Sequence, residues 1–137
     1  MKGINKWIEG LDDQDLGKLI LRVALGIVFV YAGWFKVNNL EMVITGFAST
    51  GLPVWTAYFV SYAELICGIL LILGFWVRHV GILLAVIMAV AIYKVTGKNG
   101  FSLGTGGYEY NLVLLLVSLA VTTLGAGKHT IAKLMKK

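Results

Sequence analysis

Long runs almost free of charge dominate this chain, and they decide which solvent it can fold in. A helix needs about 20 predominantly apolar residues to cross the hydrocarbon core of a bilayer. Leu16 to Phe35, Val54 to Leu73 and Glu109 to Leu124 read as continuous apolar runs of about that kind. A fourth stretch, Val80 to Val95, is short and is expected to complete its span with flanking Arg78 and Lys94 or by local thinning of the bilayer. No segment alternates at period two, and Leu112 to Val117 is apolar on both faces, which fits a helix and not a barrel strand. With 58% hydrophobic and 14% charged residues and a mean hydropathy of +0.84, a soluble core is ruled out. The expectation is an all-α integral membrane four-helix bundle, built as a single domain over residues 1–137.

Orientation follows from the basic residues. With the N-terminus inside, the inner side holds Lys2, Lys6, Lys18, Arg22, Arg78, Lys128, Lys133, Lys136 and Lys137, and the outer side only Lys36, Lys94 and Lys98. That bias predicts both termini in the cytoplasm. Trp7 and Trp76 then fall at the inner boundary and Trp34 and Trp55 at the outer one, an aromatic belt that agrees with the charge count. Asp12, Asp13 and Asp15 precede the first run where a signal peptide would carry basic residues, so Met1 to Leu11 reads as a cytoplasmic lead and the first span as retained. Ile4, Trp7, Ile8 and Leu11 form an amphipathic stripe suited to the interface. The expected location is the bacterial inner (cytoplasmic) membrane, crossed several times. The lipid bilayer is thus the first partner. The net charge of +5 is accounted for by topology and by the basic tail Lys128 to Lys137, which attracts anionic headgroups, and nothing calls for nucleic acid.

Several chemistries are excluded. Cys67 is the one cysteine, so no disulfide, dithiol centre or haem attachment motif exists. His79 and His129 lack companion ligands, and no metal or intrinsic cofactor is expected. Between the first two spans, Leu40, Val43, Ile44 and Phe47 share a helical face before Ser49-Thr50-Gly51-Leu52-Pro53 breaks it, which suggests an interfacial or partly re-entrant helix. The glycine-rich stretch Thr96 to Tyr108 lacks the G-K-[ST] ending of a phosphate loop and follows no strand.

Charges inside the spans carry the functional signal, because each costs about 2.5 to 3.5 kcal/mol at the bilayer centre. Arg22 and Glu64 lie clearly inside, Glu64 near the midplane. Arg22, Gly26, Phe29, Gly33 and Lys36 repeat at spacing four and three on the first helix. Ala57, Ser61, Glu64, Gly68 and Leu71 do so on the second, and Gly81, Ala85 and Ala89 form a small-residue stripe on the third. Helical side chains lean toward their own N-terminus, so Glu64 leans outward and Lys36 inward, level with Glu109. The expected site is an outward-opening polar pocket lined by Lys36, Glu64 and Glu109, with Tyr108 beside it, Tyr58, Tyr62, Tyr110 and Asn111 at similar depth, and Arg22 leaning to the cytoplasm and able to snorkel. The same charges, paired with one another, can instead fix helix register without any ligand.

The arrangement resembles the DoxX family of small membrane proteins from about Leu19 to Gly127. The residues that carry the resemblance are Leu21-Arg22-Val23-Ala24-Leu25-Gly26, Ala32-Gly33-Trp34-Phe35-Lys36, Phe47 with Gly51-Leu52-Pro53, Ala63-Glu64-Leu65 with Gly68, Gly74 with Arg78, Asn99-Gly100-Phe101 and Gly106-Gly107-Tyr108-Glu109-Tyr110. The resemblance implies a four-helix membrane protein; some relatives are linked to quinone-coupled sulfur oxidation or other redox systems, often through partner subunits. Two functions follow as expectations. One is a membrane subunit of an oxidoreductase, non-catalytic itself, that binds quinone or another amphipathic small molecule beside a redox partner subunit. The alternative is a non-enzymatic scaffold or assembly factor for other membrane proteins. Four helices are few for a transporter, an objection of size that a homo-oligomer would remove, and the sequence shows no inverted repeat. Cysteines introduced by Lys98→Cys and Lys136→Cys in a Cys67→Ala background are expected to label from opposite faces of the membrane. Labelling of both from outside refutes the topology.

Overall fold

The computed structural model describes residues 2–10 and 13–135, and helices account for nearly all of its regular structure. They are α1 (Lys2–Glu9), α2 (Gln14–Val37), α3 (Leu40–Ser49), α4 (Val54–Leu73), α5 (Val77–Ala91), α6 (Glu109–Leu124) and α7 (Ile131–Met135). No strand occurs among the described residues. The second and fourth expected spans coincide with α4 and α6, and the first lies within α2. The third departs from expectation. A π-helical turn (Ile92–Thr96) and a 3-10 turn (Gly97–Asn99) extend α5 into one helical run of 23 residues, Val77–Asn99. It is therefore long enough to cross a membrane, as are α2 and α4, while α6 with 16 residues is the short one.

Local chemistry sets the ends. Asp13 accepts the backbone N–H of Leu16 at 3.0 Å and caps α2. At the other end Asn38 and Asn39 donate their side-chain amides to the carbonyls of Trp34 and Phe35, each at 2.8 Å, and satisfy acceptors that a helix end leaves free. Gly51 with φ +87° and Pro53 separate α3 from α4. At the α4–α5 turn Gly74 takes φ +89°, a left-handed cap that suits glycine, and Trp76 follows at φ +50°. Ile4, Trp7 and Ile8 remain exposed along α1, the stripe expected there; Leu11 lies outside the described residues.

The helices pack as two close pairs, α2 with α4 and α5 with α6, and α3 lies against α4. The buried face of α2 is Arg22, Leu25, Gly26, Phe29 and Gly33, and that of α4 is Ala57, Ser61, Glu64, Cys67, Gly68 and Leu71. These are the faces the spacing predicts. On α5 Gly81 and Ala85 are buried but Ala89 is exposed, with Met88 in its place. The reason is geometric: each four-residue step advances about 40° past a full turn, so two steps carry Ala89 off the face, whereas seven residues fall about 20° short of two turns.

Backbone meets backbone at the glycines. A Cβ on Gly33 would collide with the main chain of Leu65, and one on Gly26 would lie 2.8 Å from the carbonyl of Gly68. A Cβ on Gly68 in turn would lie 2.7 Å from the Val30 nitrogen. Gly81 is pressed in the same way against Thr122 and Ser118 on α6. The terminal segments meet at one end of the molecule, where the Lys128 backbone N–H donates to Asp15 at 3.2 Å. Gly33→Leu is expected to destabilise the fold by at least the roughly 1 to 3 kcal/mol typical of overpacking. An unchanged melting profile in detergent would count against this packing.

Candidate functional site

Two helices bring one cation and one anion together. Gly33 of α2 lies against Leu65 of α4, and Lys36 and Glu64 are their neighbours one turn on and one residue back. Lys36 Nζ consequently donates to both carboxylate oxygens of Glu64, at 2.9 Å and 2.8 Å. Glu64 is 1% exposed, whereas the Lys36 side chain keeps 29% of its surface open. The geometry combines a Coulomb attraction strengthened by low dielectric with two charge-assisted hydrogen bonds. No other ion pair occurs among the described residues.

This pair forms the polar end of a cavity of about 450 Å³. Its walls come from α4 (Trp55, Phe59 and Val60) and from α5 (Leu83, Ile87 and Val90), and Phe47 of α3 closes one side. Trp55, Phe59, Val86 and Val90 line the cavity and are also exposed, so it opens through the apolar side surface between α4 and α5. Three neutral polar residues, Thr56, Thr96 and Asn111, also line the cavity. Asn111 on α6 donates to the thioether of Met88 at 3.6 Å, and the Thr96 hydroxyl is buried with no hydrogen-bond partner among the described residues. Thr96 ends the π-helical turn, a distortion that frequently accompanies functional sites.

The remaining residues expected in the pocket are elsewhere. Glu109 turns back to accept the Leu103 backbone N–H at 3.0 Å, and Tyr108 packs edge-on against Phe101 with ring centroids 5.6 Å apart. Both stabilise the glycine-rich loop, which closes on itself through Tyr108 N–H to the Gly100 carbonyl and Glu109 N–H to that of Phe101. Tyr58, Tyr62 and Tyr110 are exposed. Arg22 is at the opposite end of α2, 1% exposed instead of snorkelling, and donates to the carbonyls of Ala126 and His129 at 2.7 Å each. The cavity is thus apolar-walled with a small polar end, and it opens sideways. Sequence reasoning missed Thr96 and the apolar walls, since a hydroxyl near the end of an apolar run carries no signal until the helix is found to continue past it. No cluster of His, Cys, Asp and Glu suited to a metal occurs among the described residues, and Cys67 is buried and free.

A sequence model of the DoxX family matches residues 17–97, more than half of the chain. The chain belongs to the DoxX family. The match runs from α2 through the end of the π-helical turn and so contains Lys36, Glu64 and every element of the cavity except α6. This DoxX chain is 39% identical over 108 residues to a Bacillus subtilis (strain 168) protein named "Putative oxidoreductase CatD", an alignment covering 79% of the chain and 80% of that relative. It is 33% identical over 75 residues to an uncharacterized protein of Haemophilus influenzae (strain Rd), covering 55% of the chain and 50% of that protein. No solved structure matches the chain.

Removing one partner of the pair leaves the other charge uncompensated inside the molecule. Lys36→Ala is expected to destabilise by about 2 to 3 kcal/mol, below the 3 to 5 kcal/mol of a fully buried pair because Lys36 is partly open. Combining it with Glu64→Gln should cost less than the sum of the single changes, read by denaturant titration in mixed micelles. Strict additivity would show that the two side chains do not interact.

Proposed function

We propose that this DoxX protein is the membrane subunit of an oxidoreductase system, and that the cavity between α4 and α5 receives quinone or another uncharged amphipathic molecule. The observation that carries this reading is a cavity of about 450 Å³ with apolar walls, a side opening and a single polar end where Lys36 and Glu64 neutralise each other. That volume falls within the range of small-molecule sites, which combine apolar walls with a few polar groups that fix orientation. A neutral polar end favours a headgroup that accepts and donates hydrogen bonds without bringing a charge. Lys36 retains N–H capacity beyond the carboxylate, and the unpartnered Thr96 hydroxyl gains a partner when such a headgroup enters. A carbonyl or phenol headgroup meets these requirements, with its apolar tail leaving through the opening toward lipid.

The likeness to the B. subtilis relative supports the oxidoreductase assignment. The chain has one cysteine, so it supplies no dithiol, and the electron-transfer chemistry is assigned to a redox partner subunit. The proposed frame is the bacterial inner membrane with both termini cytoplasmic, which puts the ion pair and the cavity in the outer half. Lys36, Glu64, Thr96 and Asn111 are the proposed site; Arg22, Tyr108 and Glu109 serve the architecture around it.

Mass spectrometry of the gently purified protein is expected to find a quinone or comparable amphipathic molecule at near one per chain. Glu64→Gln keeps the shape and removes the charge, leaving Lys36 positive. Fold stability should fall by less than in Lys36→Ala, because the Lys36 left unpaired is partly open, while ligand retention falls about tenfold or more. Wild-type ligand content in Glu64→Gln, together with partner binding that survives the change, would remove the pocket reading and favour the scaffold role.

A further inference from the structure

A second concavity, of about 670 Å³, lies at the end of the molecule opposite the first, between α2, the end of α4 and the C-terminal segment. Arg22 lies at its base, Lys128 and Lys133 are exposed around it, and Leu19, Ile72 and Leu134 give it an apolar wall. Among the described residues no acidic side chain lines it. Arg22 is 1% exposed, and among the described residues its fixed charge is met only by the carbonyl dipoles of Ala126 and His129, at 2.7 Å each, and its Nε has no hydrogen-bond partner. Among the described residues no carboxylate lies within ion-pair distance of it. Asp15, close by in the terminal region, instead accepts the backbone N–H of Lys128.

Two carbonyls orient a guanidinium without cancelling its charge, so this corner stays positive between an apolar wall and the membrane interface. We infer that the concavity binds an anionic glycerophospholipid, with the phosphodiester between Lys128 and Lys133 in the field of Arg22 and an acyl chain along Leu19, Ile72 and Leu134. Basic recesses between membrane helices are suited to such headgroups, whose negative charge supplies the counter-ion the protein lacks there. The occupant must be amphipathic as well as anionic, because half of the lining is apolar. This site is independent of the proposed quinone cavity and shares no residue with it.

The test uses the full chain in mild detergent, titrated with phosphatidylglycerol or phosphatidylcholine and read by native mass spectrometry. Phosphatidylcholine carries the same phosphodiester but a compensating cation. The expected result is one phosphatidylglycerol retained in preference to phosphatidylcholine. Lys128→Ala with Lys133→Ala should weaken it about 25-fold, roughly fivefold per lysine. Lys94→Ala with Lys98→Ala, an equal loss of charge at the other end, should leave it unchanged. Quinone content should be the same in both double variants, which separates this site from the cavity between α4 and α5. Equal retention of the two lipids, wild-type affinity in the Lys128/Lys133 double variant, or an equal loss in the Lys94/Lys98 double variant would each overturn the proposal. Displacement of phosphatidylglycerol by millimolar glycerol phosphate would also overturn it, by assigning the site to a soluble phosphate ester.

Discussion

The direct contact of the α2 and α4 backbones is the constraint on which the rest of the molecule depends. Between apolar solvent and apolar side chain there is little hydrophobic reward for bringing two helices together, so association in a bilayer relies on close van der Waals packing and on polar contacts. Gly26, Gly33 and Gly68 allow that approach, because each faces main chain where a Cβ would collide. The tightest point, Gly33 on Leu65, lies one turn from Lys36 and next to Glu64. Close packing and the ion pair therefore reinforce each other: the glycines set the distance over which Lys36 must reach, and the bidentate contact holds the helices in that register.

A second zipped pair, α5 on α6 through Gly81, leaves a boundary where the pairs meet less closely. The cavity occupies that boundary. The turn at Gly74 to Trp76 joins α4 and α5 at one end, and toward the other end their side chains leave space that Phe47 and the π-helical turn partly enclose. Neither helix pair needs the cavity for its own packing, which allows a ligand to enter from the side without separating the close contacts of either pair.

The helices and their inward faces were legible in the sequence because each spacing of small and charged residues projects onto one side of a helix. The two faces around Gly33 and Gly68 were readable for that reason, and the pairing of Lys36 with Glu64 followed from side-chain lean. The destinations of Tyr108 and Glu109 were not readable. Both lie at the right depth, but the loop between Asn99 and Tyr108 folds into its own hydrogen-bonded unit and turns them into its supports. Depth along a helix is encoded by counting residues, whereas rotation about the axis at a helix end depends on loop contacts that periodicity does not contain. Thr96 was hidden by the same limit, since only the continuation of α5 past Val95 brings its hydroxyl to the cavity.

The two cations on the inner face of α2, Arg22 buried and Lys36 partly open, are treated differently, and the difference bears on how the chain sits in a membrane. Lys36 is matched by a carboxylate, so its end of the molecule is internally neutral. Among the described residues Arg22 is matched by dipoles alone, so its end of the molecule keeps a positive charge below its surface, in addition to the exposed Lys128 and Lys133. An uncompensated cation has lower energy on the side of a bilayer that faces the negative membrane potential and the anionic leaflet, and moving one charge across the full field is worth about 2.3 kcal/mol per 100 mV. Burial of Arg22 thus agrees with the proposed frame, in which the termini are cytoplasmic, on grounds separate from the count of loop lysines. In that frame an acid is needed near Lys36 and not near Arg22, since the field gives a cation no help at the outer end and Glu64 supplies the compensation from within the bundle.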